Sequence, residues 1–386
     1  MAKRILIVVP SLKIGGGAER IAMLVGNALH DKGYDVRFLT FYKHRKEYKI
    51  DCPSYSFAEK ESKGILSKIS KMIKRPLKIN SYCKKHEINN IISFMEEANF
   101  ASIMSKTFGK KKIFASTHIV PDDYYGLLYQ TLIRFLYPYA KKLVLVSKEL
   151  ESKVRKRYGL KNTTTIYNMM DVNHYKKLMK QKCPHANFFK GSFVFLNIGR
   201  MTEQKGHCFL IRSFAEVART NTKAKLCIIS GGGELKHKLT RLIDGMGIEN
   251  KVLIIEKVEN VFPYIRESHC FVLSSLFEGF GIVLVEALLG KMPVVSTDCS
   301  VGPREILATI FGKINYPYEG THGILVKPFK KRMVLDNRPL DPEEKQLAEV
   351  MENLMKDKDL YKNYSKSKRA DDFDVSEIVS QSEGIL

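Results

Sequence analysis

Leu276–Leu289 read LFEGFGIVLVEALL, with two acidic residues, Glu278 and Glu286, eight positions apart in a run that is otherwise apolar or glycine. A carboxylate buried in such company is costly unless something pairs with it, so the spacing demands a partner. The stretch also punctuates the chain. The run CFVLSS just before it has the composition of a buried strand, which Gly279 and Gly281 break. A helix is then expected from about Ile282 to Leu289, ended by Gly290 ahead of Pro293. Strand, glycine turn and helix in that order are the repeating unit of parallel sheets.

The same unit recurs on both sides. Strands are expected at RILIVV, DVRFLT, NIISF, KIFAST, KLVLVS and TTTIY in the first half. In the second half they fall at SFVFLNIG, AKLCIIS, KVLIIE, CFVLSS and PVVST, with helix-length amphipathic stretches between. This predicts an α/β chain of two Rossmann-like, doubly wound domains facing across a cleft, with ligands beyond the carboxyl ends of the strands. The basic, irregular stretch YKKLMKQKCPHANFFKGS separates the halves. The expected division is residues 1–175 for the first domain, 176–192 for a linker, 193–365 for the second domain and 366–386 for a tail. That tail, ending DFDVSEIVSQSEGIL, reads as a short helix with Asp374 or Ser376 as its cap.

Composition narrows the partners. With 386 residues, 44% hydrophobic and 10% aromatic, the chain can bury two proper cores. The seven cysteines are odd in number, scattered and without a C-x-x-C pair, which predicts reduced thiols, no zinc cage and a cytoplasmic setting. MAKRILIVVPSLKIGGGAER reads as a first strand and glycine turn, not a signal peptide, and no apolar run is long enough to span a membrane.

The net charge of +23 implies an anionic partner: nucleic acid, a phosphorylated ligand or an acidic membrane. It is densest at residues 60–86, with nine Lys or Arg against one Glu. There Ile65, Leu66, Ile69, Met72 and Ile73 form an apolar stripe at helical spacing, with Lys63, Lys68, Lys71 and Lys74 elsewhere, until Pro76 is expected to stop the helix. Such a helix suits an anionic membrane surface, or else packs on its own sheet with a solvated basic face. Tyr124–Lys142, YYGLLYQTLIRFLYPYAKK, adds interfacial aromatics but is expected to be mostly core.

Three glycine turns follow expected strands: GGGAER at Gly15–Arg20, GRMTEQKG at Gly199–Gly206 and GGGE at Gly231–Glu234. Glycine lets backbone approach a phosphate, and helix N-termini attract anions, although any such turn also serves as a plain tight connection. The second turn adds Arg200 and Lys205, two cations able to neutralise one diphosphate. If both were helical, Glu278 and Glu286 would stand roughly 12 Å apart. That span suits the hexose and ribose hydroxyls of an extended nucleotide sugar, since carboxylates accept paired hydrogen bonds from vicinal diols.

In combination these motifs resemble the retaining GT-B glycosyltransferases of glycosyltransferase family 4. EGFGIVLVEA at 278–287 is similar to that family's E-x7-E motif, Gly16–Arg20 to its G-G-A-E-R turn, Gly199–Gly206 to G-R-x-x-x-x-K-G, and Asn168–Asp171 to Y-N-x-x-D, across roughly residues 5–326. The resemblance implies a nucleotide-sugar donor held mainly by the second domain. Arg200 and Lys205 would hold the diphosphate, Glu278 the transferred sugar and Glu286 the ribose, with Gly279, Phe280 and Gly281 beside them. Gly16 and Gly17 would contribute to donor binding, and His118 would face the donor sugar. It implies further that the acceptor is a glycan or lipid-linked glycan held by the first domain, and that the tail helix returns there. A hexose or N-acetylhexosamine, uridine-linked, would be transferred with retention and with neither metal nor cofactor. The enzyme would work peripherally on the inner face of the membrane.

DFD at Asp372–Asp374 matches the metal-diphosphate motif D-x-D of the other large glycosyltransferase fold, but its place in a polar tail makes a capping role the expectation. Asp122 and Asp123 read as a helix start. A nucleic-acid-binding protein is permitted by the charge, yet it predicts a recognised module or aromatic-basic interleaving, and the sequence has neither, so no nucleic-acid partner is expected. An epimerase or phosphorylase on a related fold is the third alternative.

Overall fold

The computed structural model describes residues 3–385 apart from 61–64, 257, 300, 311 and 331, and omits the side chains of Ile65, Leu66, Lys68 and Asp123. The chain divides into two compact units, Met1–Asp171 with Phe373–Leu386, and Val172–Asp372.

The first unit is built on strands β1 (Arg4–Val9), β2 (Asp35–Thr40), β3 (Ser54–Ser56), β4 (Asn90–Phe94), β5 (Lys112–Thr117), β6 (Lys142–Leu145) and β7 (Thr163–Thr165). They lie in the order β3-β2-β1-β4-β5-β6-β7, and every pairing is parallel. The run Ile5–Val9 is fully buried on both faces, as a parallel sheet covered by helices requires.

The second unit uses β8 (Phe193–Ile198), β9 (Ala224–Ser230), β10 (Val252–Glu256), β11 (Cys270–Leu273), β12 (Val294–Thr297), β13 (Tyr318–Glu319) and β14 (Ile324–Val326). Their order is β10-β9-β8-β11-β12-β14-β13, parallel except for the last pair. All the expected strands form. The unexpected β3, β13 and β14 have only two or three residues, too few to show a period. In each sheet the winding reverses once, between β1 and β4 and between β8 and β11.

Residues 176–192, expected as a linker, lie within the second unit, where Val172–Met179 and Ala186–Phe189 are helical. Tyr175 stacks on Phe262 at 4.5 Å, and Phe189 is buried, so a short amphipathic segment had been hidden by its lysines. The last helix, Val375–Ile385, packs on α1 (Gly17–Asp31) in the first unit, placing Ile378 and Val379 in one core with Ile21 and Val25. Lys32 pairs with Glu383, and Met170 exchanges backbone hydrogen bonds with Phe373 and Val375 at 2.8 and 2.9 Å. Asp374 caps that helix by accepting from the Ser376 amide at 3.0 Å.

Two expectations about the first unit's surface need correcting. Helix α2 (Ile65–Lys85) does not stop at Pro76 but runs through it. The proline withholds one amide from the helix ladder, yet buried residues flanking it, Arg75 and Ile79, hold the helix on both sides of the gap. Arg75 is not part of a solvated face. It is 5% exposed, bonded to Glu59 and Glu97 at 3.0 Å each and to the Tyr42 hydroxyl at 2.8 Å. Ile69 and Ile73 point outward instead. Lys63 and the side chains of Ile65, Leu66 and Lys68 lie outside the described residues. After α3 (Glu96–Met104) and the single turn α4 (Pro121–Tyr124) comes α5 (Leu127–Leu136), which was expected to be core. Only Ile133 on it is fully buried.

The second unit also hides an arginine. Arg212 is 1% exposed, with its Nε at 2.7 Å from Glu344, and Glu344 in turn completes the capping box of the helix Pro342–Lys356. All seven cysteines are buried free thiols.

Candidate active site

The sequence motifs of the second unit converge where its sheet reverses. β8 is followed by Gly199 and Arg200, then by a single 3₁₀ turn Glu203–Lys205, and Gly206 takes φ +59° to enter the helix His207–Thr220. A side chain at Gly206 would begin 2.1 Å from the Ser274 carbonyl oxygen, so only glycine lets the turn press on the end of β11. The contact is then locked. Ser274 Oγ donates to the Lys205 carbonyl at 2.9 Å, the Leu276 amide to Gln204 at 2.8 Å, and Gln204 Nε2 to the Phe277 carbonyl at 3.0 Å.

That clamp delivers the two charged residues to each other. Lys205 Nζ lies 2.6 Å from Glu278 Oε1, and Ser275 Oγ donates to the same oxygen at 2.6 Å. The partner demanded by the Glu278 carboxylate is thus, in the first instance, a lysine and a serine of its own domain. The two side chains keep 16% and 8% exposure. A lysine ammonium has three donors, so two remain for another acceptor. Arg200 is exposed beside them on the same turn. Gly279 and Phe280 are buried, Gly281 at φ +85° caps the helix Ile282–Leu289, and Glu286 on that helix is 2% exposed.

Two residues here escaped the sequence reading. His207 directly follows the clamp, is 1% exposed, and has no hydrogen-bond partner on either ring nitrogen among the described residues. Burial, aided by the Lys205 charge, pulls its pKa down to about 3. No local signal marked it. The Cys299 thiol is pushed up by burial and by the nearby Glu278 charge.

The first unit places its residues around its own strand ends. Gly15 donates to the Tyr48 hydroxyl at 3.2 Å, Gly16 caps α1 and Gly17 begins it. His118 follows β5, with Nε2 3.0 Å from Ser116 Oγ and its ring 5.8 Å from that of Phe94. It borders an apolar cavity of about 40 Å³, and desolvation lowers its pKa to about 4. After β4, Met95 adopts φ +71° and turns Glu96 inward. Glu96 is 2% exposed, burial raises its pKa, and the Tyr125 hydroxyl donates to it at 2.6 Å. The sequence reading passed over Glu96, since an acidic pair at a helix start looks like ordinary capping. Among the described residues, no three His, Cys, Asp or Glu gather as a metal site.

Two doubly wound α/β units, with a cationic turn and the E-x7-E carboxylates on the second, define a GT-B glycosyltransferase. Residues 15–174 match Glycosyltransferase Family 4 and residues 179–371 match Glycosyl transferases group 1, and the chain belongs to this family of enzymes. It is 36% identical to an uncharacterized glycosyltransferase of Methanocaldococcus jannaschii over 92% of both chains. It is 30% identical to the N-acetylgalactosamine-N,N'-diacetylbacillosaminyl-diphospho-undecaprenol 4-alpha-N-acetylgalactosaminyltransferase of Campylobacter jejuni, over 75% of this chain and 80% of that one. Among solved structures, Anabaena HepE in complex with UDP superposes with a TM-score of 0.75 at 18% identity, covering 99% of this chain and 98% of that one.

Proposed function

We propose that the enzyme transfers a hexose or N-acetylhexosamine, with retention, from a UDP-linked donor to a lipid-linked glycan at the membrane surface. The observation that carries this reading is the Lys205–Glu278 pair at the reversal point of the second sheet, with Arg200 exposed beside it. Ligands of doubly wound sheets bind at such points. The acceptor class draws on the Campylobacter relative, whose name gives a diphospho-undecaprenol-linked substrate. The donor nucleotide draws on HepE, solved with UDP.

In this reading Arg200 and the two spare donors of Lys205 hold the diphosphate. Glu278, held by Lys205, accepts from the hydroxyls of the transferred sugar, and Glu286 from those of the ribose. An acceptor hydroxyl oxygen bonds to the anomeric carbon as that carbon's bond to the diphosphate breaks. The hydroxyl proton passes to the departing phosphate oxygen, and the nucleoside diphosphate leaves. Arg200 and Lys205 stabilise the charge growing on it, so no metal ion is required. His118, held neutral by its low pKa, suits a hydrogen bond to a hydroxyl. Gly16 and Gly17 offer amides at the start of α1. The acceptor is assigned to the first unit.

The test is a panel of nucleotide sugars screened by thermal shift, where a ligand at a hundred times its Kd adds about 2.7 kcal/mol. A uridine-linked sugar should stabilise the protein, with EDTA present or absent, and Glu286→Ala should abolish the shift while Glu278→Ala chiefly lowers turnover. Equal nucleotide affinity in wild type and the Glu286 variant overturns the assignment. The anomeric configuration of the product, read by NMR, tests retention.

A further inference from the structure

Among the described residues eleven large hydrophobic side chains are exposed, and all eleven belong to the first unit. Most gather on one helical layer. Leu127, Leu128 and Phe135 share a face of α5 at 80%, 71% and 66% exposure, and Tyr139 follows at 66%. On α2, Ile69, Ile73 and Leu77 stand four residues apart and so share a face. Helix α3 packs against α2 and α5, and its Phe100 meets Tyr129 of α5 with ring centroids 5.7 Å apart.

Both outer helices break the usual pattern in the same sense. A helix that is apolar on every side is ordinarily covered, yet α5 buries Ile133 inward and shows leucines and a phenylalanine outward. α2 is inverted over its first half, with Arg75 turned into the protein and Ile69 and Ile73 turned out. No helix of the described residues is long and apolar enough to cross a membrane. Cations are exposed on or next to these elements in the chain: Lys74 on α2, Arg134 on α5, Lys110 before β5 and Lys141 before β6.

We propose that this face docks on an anionic lipid surface. Leu127, Leu128 and Phe135 of α5 sink below the headgroups, and α2 lies alongside with its lysines at phosphate level. The proposal rests on the reading that the acceptor is lipid-borne, and it names the docking element as α5 with α2, not the basic stretch alone. Charge selects the occupant. Two copies joined through this face would bring like charges together, whereas an acidic headgroup layer neutralises the cations while the acyl region covers the leucines.

The chain contains no tryptophan, so Phe135→Trp gives a single fluorescent reporter. On vesicles of phosphatidylcholine with phosphatidylglycerol, its emission should move to the blue and resist quenching by iodide, and on phosphatidylcholine alone it should do so far less. In co-sedimentation, joint replacement Leu127→Gln, Leu128→Gln and Phe135→Gln should weaken binding about tenfold or more even in high salt. Lys74→Glu with Arg134→Glu should remove only the salt-sensitive part. All five sites are exposed, and thermal melting checks that each variant folds. Unchanged sedimentation of the triple variant overturns the proposal, as does a wild-type dimer in ultracentrifugation that the triple variant converts to monomers. Nucleotide release onto a water-soluble acceptor is read in parallel. An enzyme that transfers sugar but ignores vesicles loses the docking face alone, and one that binds vesicles but uses no donor loses the transferase reading alone.

Discussion

In both units the chain leaves a central strand through a glycine-containing turn, winds outward, and returns to that strand's other side. In the second unit the ends flanking this reversal, after β8 and β11, carry Lys205 and Glu278, paired at 2.6 Å and partly open to solvent. In the first unit the matching ends, after β1 and β4, carry Gly15–Gly17 and Glu96, whose carboxyl is buried, raised in pKa and bonded to Tyr125. Topology supplies the slot twice, and the residues filling it decide whether it offers charge or rigidity. The outer surfaces diverge too, since every exposed large hydrophobic among the described residues is on the first unit.

The comparison breaks most visibly at the buried arginines, one in each unit. Arg212→Ala would strand Glu344, 0% exposed, and should cost about 3–5 kcal/mol in urea unfolding. Arg75→Ala should cost less, about 1–3 kcal/mol, because the Glu97 side chain is 39% exposed and water can take over. Equal losses would mean that the two arginines are equivalent.

The slots themselves come next. Lys205→Ala and Arg200→Ala should each lower turnover about 10²-fold, since both cations would stabilise the departing diphosphate. Burial raises the pKa of Glu96, and Glu96→Gln, an amide of the same shape, should change stability by less than about 1 kcal/mol. A large loss from the Glu96 variant, measured by thermal melting, would show that the carboxyl does more here than an amide of its shape can.

Smaller effects follow from the histidines. His118, near 4, and His207, near 3, are both held below the ordinary imidazole value by burial. Below about pH 6.5 the unfolded chain binds protons that the folded chain refuses, so stability falls with falling pH. The contribution is complete above pH 6.5 and drains by about 1.4 kcal/mol per unit per histidine until the folded value is reached. His207→Leu should make that decline shallower in pH-dependent melting. At neutral pH it should also add about 1 kcal/mol, because a buried polar ring without partners is removed. Lost donor binding in that variant, by contrast, would place His207 in the site.

The parts of this architecture that the sequence displayed were those encoded locally. Long β-branched runs announced the main strands, and the glycines around Arg200, Lys205 and Glu278 marked the turns that hold them. Periodicity showed that Ile69 and Ile73 share a face of α2, but not which face looks inward. That choice is made by Glu59 and Glu97, which draw Arg75 in from distant parts of the chain. α5 looked like core because its composition is that of core. Glu96 and Glu97 are adjacent and alike, and only the positive φ of Met95 turns the first of them inside.

The order of the segments has a consequence for synthesis. The second unit, residues 172–372, is an insertion within the first, whose closing helix Val375–Ile385 is made after it. On the ribosome the later-encoded unit is therefore complete first, while Ile21 and Val25 of α1 await the Ile378 and Val379 that cover them. While the second unit is being made the first is an unfinished fold with a greasy seam, the kind of surface that chaperones hold. A stop codon between positions 373 and 378 would wound the first unit, most of which is encoded earlier, and spare the second.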